Sequence, residues 1–323
     1  MKKVLKFKVL ALALCAAVFI SCDNDDDPKP VDNTITGVAI GNPNLKILVQ
    51  ALTRADLATT LTGTGKFTVF APTDAAFTAY LRANNIADIN AVPVPALREL
   101  LLNHVVSGEA KAASLTTSYI KTLGKGAASA TNNLSMFVNV TGSAVRLNGV
   151  SSVTTADVMA SNGVIHVVDA VIGLPTVVTH AAANPNFSTL VSVLNRDGQP
   201  NLVTALSATG PFTVFAPTNA AFTALNTELL PGGIASVSAA NLTRVLQYHV
   251  VSPANVLAAS LTEGQVVTPI LMPTQTFTVL LAGGAKIRDA RARVTNITAT
   301  DVQCSNGVIH VLDRVLLPLF PGS

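Results

Sequence analysis

The sequence predicts two tandem copies of one α+β domain, and two features of the chain support this fold class. The phrase FTVFAPTDAAF begins at Phe67 and returns as FTVFAPTNAAF at Phe212, with one charged residue replaced by a neutral one. Within a copy, segments with helical spacing precede short runs in which apolar and polar residues alternate, as they do in strands. The 323 residues are enough for two ordinary domains.

Three further phrases recur and extend the repeat over most of the chain. They are LLNHVVSG at 101–108 with LQYHVVSP at 246–253, ASNGVIHVVDAVIGLP at 160–175 with CSNGVIHVLDRVLLP at 304–318, and residues 42–61 with residues 184–206. The second copy carries about three extra residues in a Gly-Gln-Pro loop. Because this period is too long for a solenoid repeat, we expect globular domains at 35–175 (the first copy) and 176–320 (the second copy).

Local patterns predict the elements of the first copy. The predicted helices are LKILVQALTRADL, TDAAFTAYLRANN and PALRELLLNHVV, the last of which runs into a strand. FTVF is a short strand that stops at Ala-Pro, since proline lacks the N–H that a strand ladder needs. MFVNV and AVRLNG continue the sheet, and DVMASNGVIHVVD reads as two strands joined by a Ser-Asn-Gly turn.

These phrases together resemble the fasciclin, or FAS1, domain. FTVFAPTDAAF, the histidine-containing NHVVSG and YHVVSP, and the closing SNGVIHVVD carry the resemblance. It covers nearly the whole chain after the leader, as two complete copies. The resemblance implies that each copy is a mixed β-sheet wedge packed with helices.

Thr73 and Asp74 follow the proline of the first strand, where a helix must begin. Both are good N-cap residues, whose side-chain oxygens accept hydrogen bonds from free backbone N–H groups. Thr218 and Asn219 hold these places in the second copy. An asparagine caps about as well as an aspartate but is neither an acid nor a strong metal ligand. The exchange therefore favours a structural role over catalysis.

Four of the five histidines are repeated, His104 with His249 and His166 with His310. The spacing of His104 from the leucines before it places it on the core-facing stripe of a helix. A hydrogen-bonded core histidine is therefore expected, with a metal ligand or catalytic base as the alternative. His166 and His310 each precede an aspartate by three residues on a strand, and an odd offset argues against a His–Asp pair.

The resemblance also implies candidate adhesion residues. In animal adhesion proteins with this domain, a Tyr-His pair is implicated in binding a cell-surface receptor. Tyr248 and His249 match this pair in the second copy, whereas Asn103 precedes His104 in the first copy and departs from it. A structural role of the histidine competes with this interpretation.

Residues 1–21 read as an export signal. Lysines precede VLALALCAAVFI, an apolar run of 12 residues that is shorter than the ~20 a membrane-spanning helix needs. FISC resembles the lipobox of bacterial lipoproteins, which implies a lipid on Cys22; an ordinary signal peptide with an incidental cysteine is the alternative. The acidic tether at 22–34 resembles the export tag of surface lipoproteins of the Bacteroides group, or is a solvated linker.

Composition and motifs exclude several classes of function. Without the lysines of the leader the charges nearly balance and no basic stripe remains, which argues against a nucleic-acid partner. GTGKF at 63–67 has phenylalanine where a phosphate loop needs Ser or Thr, and no other catalytic motif is found. We therefore expect no cofactor and no enzyme. Cys304 matches Ala160 of the first copy, which indicates a small buried position.

The expected function is adhesion to cells or an extracellular matrix. The expected location is the outer membrane, with a lipid anchor, both domains exposed at the cell surface and an extracellular protein or glycan as ligand. A glycan-binding accessory protein is one alternative, although the chain has no Trp and only three Tyr to stack on sugars. A structural envelope protein that faces the periplasm is another.

Overall fold

A computed structural model describes residues 32–63 and 65–320 of the chain. The predicted signal peptide, Cys22 and most of the acidic tether lie outside these residues. Contacts gather the chain from Asp32 onward into one compact unit, which contains both copies. No helix within the described ranges is long and apolar enough to cross a bilayer.

Each copy combines helices with seven strands. The first copy contains helices α1 (Ile35–Gly41), α2 (Lys46–Arg54), α3 (Asp74–Ala83) and α4 (Val94–Leu102), and strands β1 (Phe67–Pro72), β2 (Val105–Ser107), β3 (Ser118–Gly126), β4 (Ser129–Thr141), β5 (Ala144–Leu147), β6 (Ser151–Ala160) and β7 (Gly163–Val168). Short 3-10 helices lie at Thr60–Thr62, Ile89–Ala91 and Ala112–Ser114.

The second copy repeats this order with one additional helix. Its helices are α5 (Val177–Ala183), α6 (Ser188–Leu194), α7 (Leu202–Ser207), α8 (Asn219–Glu228) and α9 (Ala239–Tyr248), and its strands are β8 (Phe212–Pro217), β9 (Val250–Val251), β10 (Val266–Val267), β11 (Phe277–Leu280), β12 (Lys286–Arg288), β13 (Val294–Cys304) and β14 (Gly307–Leu312). Its 3-10 helices lie at Pro185–Phe187, Gly233–Ser236 and Ala258–Ser260.

The two sheets have the same strand order but differ in closure. In the first copy, β1 to β7 pair in sequence and β7 returns to β1, so the sheet closes into a barrel. In the second copy the order is β10-β11-β12-β13-β14-β8-β9, and β9 does not pair with β10. The second sheet therefore has two edges that the first sheet lacks.

The FTVFAP strand, β1 or β8, pairs with a strand on each of its two sides, and we call it and its parallel partner the central strands of the copy. β1 runs parallel to β7 from the pair of Phe67 and Gly163 onward, and antiparallel to β2 on its other side. β8 and β14 repeat this pairing from Phe212 and Gly307 onward. Nearly all residues of these four strands are buried, as is usual for parallel strands covered on both faces.

Two apolar cores flank the central strands in each copy. In the first copy, Phe77 and Leu97 of the helices pack with Val69 on one face of the sheet. Phe70 points to the other face and lies with Met136 inside the barrel. Because successive side chains of a strand point to opposite faces, one short apolar run supplies both cores.

Gly163 begins β7 where the two central strands approach most closely. Its φ is 151°, a backbone conformation that other residues rarely adopt, and a Cβ there would overlap the carbonyl oxygen of Phe67. Gly307 meets Phe212 in the same close approach. The glycine of the Ser-Asn-Gly turn is thus needed for the strand pairing as well as for the turn.

The asparagine before this glycine ties three segments together. Asn162 Oδ1 accepts a hydrogen bond from Ile35 N at 2.8 Å, at the start of α1. Its amide donates to the carbonyls of Leu61 and Gly63, in the loop before β1. Asn306 makes the equivalent bonds in the second copy. The last hairpin therefore holds the first helix and the first strand of its copy in place.

We predict that Gly163→Ala lowers the free energy of unfolding by about 1–3 kcal/mol, because of the positive φ and the contact with Phe67. Gly173→Ala is the matched control, since no atom lies within 4 Å of its Cβ position. Urea unfolding of both variants measures the difference. Equal stability would show that the close approach does not constrain the fold.

Candidate functional site

Thr73 and Asp74, at the start of α3, form hydrogen bonds with two different helices. Thr73 is the N-cap of α3, and its Oγ1 accepts a hydrogen bond from Ala76 N at 3.2 Å. Asp74 Oδ1 accepts from Ile47 N at 2.7 Å, at the start of α2. The N-cap of α2 is Leu45, which has no side-chain oxygen. Of the two good N-cap residues, Thr73 caps the helix that begins here, whereas the side chain of Asp74 accepts from the first turn of the preceding helix.

The second copy uses an asparagine because its neighbours differ. Thr218 is the N-cap of α8, as its counterpart is of α3. Asn219 Oδ1 accepts from Thr189 N at 2.9 Å, and its amide donates to Pro185 O at 2.9 Å and to Ser188 Oγ at 3.0 Å. A carboxylate has no N–H to donate to the Pro185 carbonyl. The difference between Asp74 and Asn219 thus matches the hydrogen-bond partners that surround each residue.

His104 and His249 connect the last helix of each copy to the segment after its final strand. Nδ1 of His104 donates to Leu100 O at 2.8 Å, and Nε2 accepts from Ile172 N at 2.9 Å. His249 forms the same two bonds at 2.7 and 3.0 Å. Because a carbonyl can only accept, Nδ1 carries the proton and the ring is neutral.

Both of these histidines are buried, and they lie at the helix end rather than within the helix. α4 ends at Leu102 and α9 at Tyr248, so each histidine follows its last turn. Burial lowers the pKa of His104 and of His249 to about 4. With both ring nitrogens engaged, neither imidazole is free to bind a metal or act as a base.

Tyr248 is buried together with His249. Its hydroxyl donates to Thr276 O at 2.6 Å and accepts from Ala290 N at 3.0 Å, and burial raises its pKa to about 12. Asn103, which stands before His104 in the first copy, is also buried. These side chains hold loops of their own domain. A contact between the Tyr248–His249 pair and a receptor stays a prediction, and it would require both side chains to leave the core.

His166 and His310 stack on a phenylalanine of the neighbouring central strand. The ring centroids lie 5.5 Å from Phe70 in the first copy and 5.4 Å from Phe215 in the second. Nε2 donates to a backbone carbonyl at 2.9 and 2.8 Å, respectively. The aspartates three residues later accept hydrogen bonds from backbone N–H groups of β6 and β13 instead. Each histidine and its aspartate therefore engage different partners.

No sequence motif indicates the residues that join the two copies. Ser135 Oγ on β4 accepts hydrogen bonds from Gln303 N of β13 and from Lys121 Nζ, both at 3.0 Å. Lys121 also donates to Asp301 O at 2.7 Å, and burial lowers its pKa. The β3–β4 hairpin of the first copy is thus bonded directly to the end of β13 in the second copy.

His180, the histidine without a counterpart, lies buried at this junction. The edge of its ring faces Tyr119 with 5.3 Å between the ring centroids, and Tyr119 accepts a hydrogen bond from Asn184 Nδ2 at 3.2 Å. Neither ring nitrogen of His180 has a hydrogen-bond partner of ordinary geometry, although the backbone of Ser135 lies against the ring. Burial lowers the pKa of His180 to about 3.

A shallow groove of about 410 Å³ follows the junction on the surface. Polar side chains from both copies line it, among them Lys121, Asn132, Asn133, Asp301 and Gln303. Amide and charged groups can form hydrogen bonds with hydroxyl or peptide groups of a ligand. We call this feature the junction groove.

Metal-binding side chains and the cysteine thiol are further types of reactive group among the described residues. Within residues 32–63 and 65–320, no group of three His, Cys, Asp or Glu side chains could hold a metal ion. Cys304 is buried, its Sγ donates to Val302 O at 3.4 Å, and burial raises the pKa of its thiol. The described residues therefore contain no such metal-binding group, and their cysteine is not accessible.

Comparison with known proteins identifies the family. The profile of the fasciclin domain matches residues 43–175 and 185–318, so the chain belongs to the fasciclin domain family. It is 42% identical to Protein sll1483 of Synechocystis sp. over 148 residues, which cover 44% of this chain and 73% of that protein. It is 28% identical to transforming growth factor-beta-induced protein ig-h3 of Oryctolagus cuniculus over 265 residues, 79% of this chain and 35% of that protein.

A solved structure shows the same fold. The FAS1 domain pair of the insect cell adhesion molecule fasciclin I matches with a TM-score of 0.50 and 20% identity, over 88% of this chain and 96% of that one. The predicted family and the predicted fold class, two tandem FAS1 domains of helices and mixed sheets, are confirmed.

Exchanging the two helix-start residues tests the hydrogen-bond pattern. Asn219→Asp should cost about 1–3 kcal/mol of stability, because a carboxylate oxygen would face the Pro185 carbonyl. Asp74→Asn should cost less than about 1 kcal/mol, because it keeps the acceptor for Ile47 N. Urea unfolding at pH 7 measures both. A larger loss for Asp74→Asn would show that charge decides, and not the donor pattern.

We expect acid to destabilise the protein through its buried histidines. The pKa is lowered to about 4 in His104 and His249 and to about 3 in His180, whereas an unfolded histidine titrates near ~6.5. The unfolded chain therefore binds more protons than the folded one. The free energy of unfolding should fall as the pH decreases from 6.5 towards 4, as urea midpoints across this range would show.

His180→Leu separates one histidine from the others. Its ring nitrogens lack ordinary partners, so we expect the stability at pH 7 to change by less than about 1 kcal/mol. Proton uptake on unfolding near pH 5 should fall by about one. An unchanged pH slope would contradict the titration that burial implies for this residue.

Proposed function

We propose that this protein is an adhesion lipoprotein of the outer membrane. It is anchored through Cys22, exposes both domains at the cell surface, and binds an extracellular protein or glycan without covalent chemistry. The observation that carries the proposal is that the fasciclin profile matches twice and covers most of the chain. The solved pair with this fold comes from a cell adhesion molecule, which supports an adhesive role.

The state of the titratable groups supports binding rather than catalysis. His104 and His249 are neutral core residues whose hydrogen bonds hold backbone segments, and Cys304 is a buried thiol with a raised pKa. A general base or a nucleophile must reach its substrate. These side chains lie inside their domains instead.

The direct bonding between the copies supports a shared binding surface. Ser135 receives hydrogen bonds from both sides of the junction, so the two domains present one surface with fixed geometry. A preorganised surface binds with a smaller loss of conformational freedom than two loosely linked domains. The junction groove is the part of this surface that both domains form.

The junction groove also favours the second candidate, a glycan-binding accessory protein. Its amide and charged side chains suit the hydroxyl groups of a sugar, and no aromatic residue is among its described lining residues. A sugar would therefore be held by hydrogen bonds without stacking. Binding to arrays of matrix proteins and of glycans distinguishes the two ligand classes.

The proposal is tested by treating intact cells with a protease that does not cross the outer membrane. We expect both domains to be degraded, and we expect Cys22→Ala protein to be lost from the membrane fraction. Full protection of the wild type, together with a protected periplasmic control protein, would overturn surface exposure. That result would favour a structural protein that faces the periplasm.

Adhesion itself is tested in a clean deletion strain. Attachment to the matrix or cell layer should fall, and the wild-type gene should restore it. An Asn132→Ala/Asn133→Ala protein should restore less attachment, whereas Asn186→Ala, an exposed change outside the groove, should restore it fully. Normal attachment of the deletion strain would contradict the adhesive function.

A further inference from the structure

The second copy contains an apolar cavity of about 260 Å³ among α5, α6, α7, β8 and the end of α9. Aliphatic and phenyl side chains form nearly all of its walls. Two lining residues, Asn195 and Gln247, carry a side-chain amide, and Nδ2 of Asn195 already donates to Val191 O at 2.8 Å. The ring of His249 also lines it, but both of its nitrogens are already hydrogen-bonded. Its described lining residues include no charged side chain.

The corresponding place in the first copy is more tightly packed. Leu202 and Leu206, which line the cavity, are 9% and 7% exposed. Their counterparts Leu57 and Leu61 are 1% and 2% exposed. Leu202 and Leu206 thus border a cavity in the second copy, whereas the equivalent leucines of the first copy are almost fully covered by other atoms.

The difference has a cause in the sequence. In the first copy, Ala55 follows α2 directly and is buried in the core. The second copy has its longer Gly-Gln-Pro loop at this point, and no residue from 195 to 201 is buried. Val177 also replaces Ile35 and is one methylene smaller. The second copy thus lacks a buried counterpart of Ala55 and fills less space at Val177, while Val203 is larger than its counterpart Ala58.

Water is a poor occupant of such a space. A buried water needs two to four polar partners, and an engineered apolar cavity of about 150 Å³ in another protein stays dry and binds benzene. Apolar walls favour an alkyl chain, because removing its surface from water is the driving force for burial. Oδ1 of Asn195 and the amide of Gln247 can form hydrogen bonds with a neutral polar head group, but they supply no charge to pair with an ion.

We propose that this cavity binds the alkyl chain of a neutral single-chain amphiphile, such as a fatty alcohol or an acyl ester. The chain lies among the side chains that include Leu202 and Leu206, and the head group lies at Asn195 and Gln247. This site belongs to the second copy and is independent of the ligand that the junction groove takes.

The test is calorimetric titration of full-length Cys22→Ala protein with 1-octanol. We expect saturable binding of one octanol per chain, and about tenfold weaker binding of octanoate at pH 7, whose charge finds no partner. Ala181→Leu places extra volume at the cavity wall and should weaken octanol binding about tenfold or more. Absence of octanol binding by the wild type would overturn the proposal.

Matched changes in the first copy provide the control. Ala39 is the counterpart of Ala181 and is buried in a packed core, so Ala39→Leu should lower the melting temperature and leave octanol binding unchanged. If either leucine variant does not fold, Val177→Ile and Ile35→Val replace the pair, and only the former should weaken binding. Equal effects of matched variants on octanol binding would contradict a site in the second copy.

Phosphatidylcholine vesicles that carry 1-hexadecanol show whether the amphiphile is taken from a bilayer. Flotation of the Cys22→Ala protein that requires the hexadecanol and is abolished by Ala181→Leu would support an amphiphile taken from a bilayer. Octanol binding without flotation would support a free amphiphile. Flotation that Ala181→Leu leaves unchanged, without octanol binding, would contradict the cavity as the site.

Discussion

The fold of each copy depends on the parallel pairing of its first and last strands. β1 and β7 lie far apart in the chain, yet their contact defines both cores, because helices cover one face and barrel side chains cover the other. Gly163 permits the close approach, and Asn162 next to it fastens the first helix and the loop before β1. His166 fills the space beside Phe70 from the same strand. The last hairpin of the domain therefore makes several closely spaced contacts with the first helix and the first strand of the same domain.

The histidines and asparagines of the repeat serve this arrangement as hydrogen-bonding groups. A buried polar group is costly unless it is paired, and most of the repeated histidines and asparagines bond to backbone groups whose positions the fold determines. Where equivalent positions of the two copies have different hydrogen-bond partners, the residue at that position differs as well. Asn219 faces a carbonyl that its counterpart Asp74 does not contact, and the change of charge is a consequence of that neighbour.

Local patterns predicted much of the fold, because strand alternation, helix spacing and turn residues act over a few neighbours. FTVF lies within β1, TDAAFTAYLRANN contains α3, and the Ser-Asn-Gly turn joins β6 to β7. Other features depend on residues from distant parts of the chain and could not be predicted in this way.

The helical stripe placed His104 within its helix, but the helix ends at Leu102. The buried hydroxyl of Tyr248 forms hydrogen bonds with backbone groups of loops that follow later in the chain. The junction of Ser135 with Gln303 joins two different copies, and no periodicity within one copy could indicate it.

Because one sheet is closed and the other is open, the two copies should unfold in a definite order. In the first copy every strand is held by a neighbour on each side, so none can leave without breaking two ladders. In the second copy, β10 forms a ladder with β11 alone, through Val266 and Val267, and β9 forms one with β8 alone, with a single backbone hydrogen bond from Ile270 N to Val250 O on its other side. Transient opening should therefore start at this gap, where amide hydrogens exchange with solvent first. The first copy should therefore resist unfolding by heat, denaturant or force for longer than the second copy, although both derive from one duplicated domain.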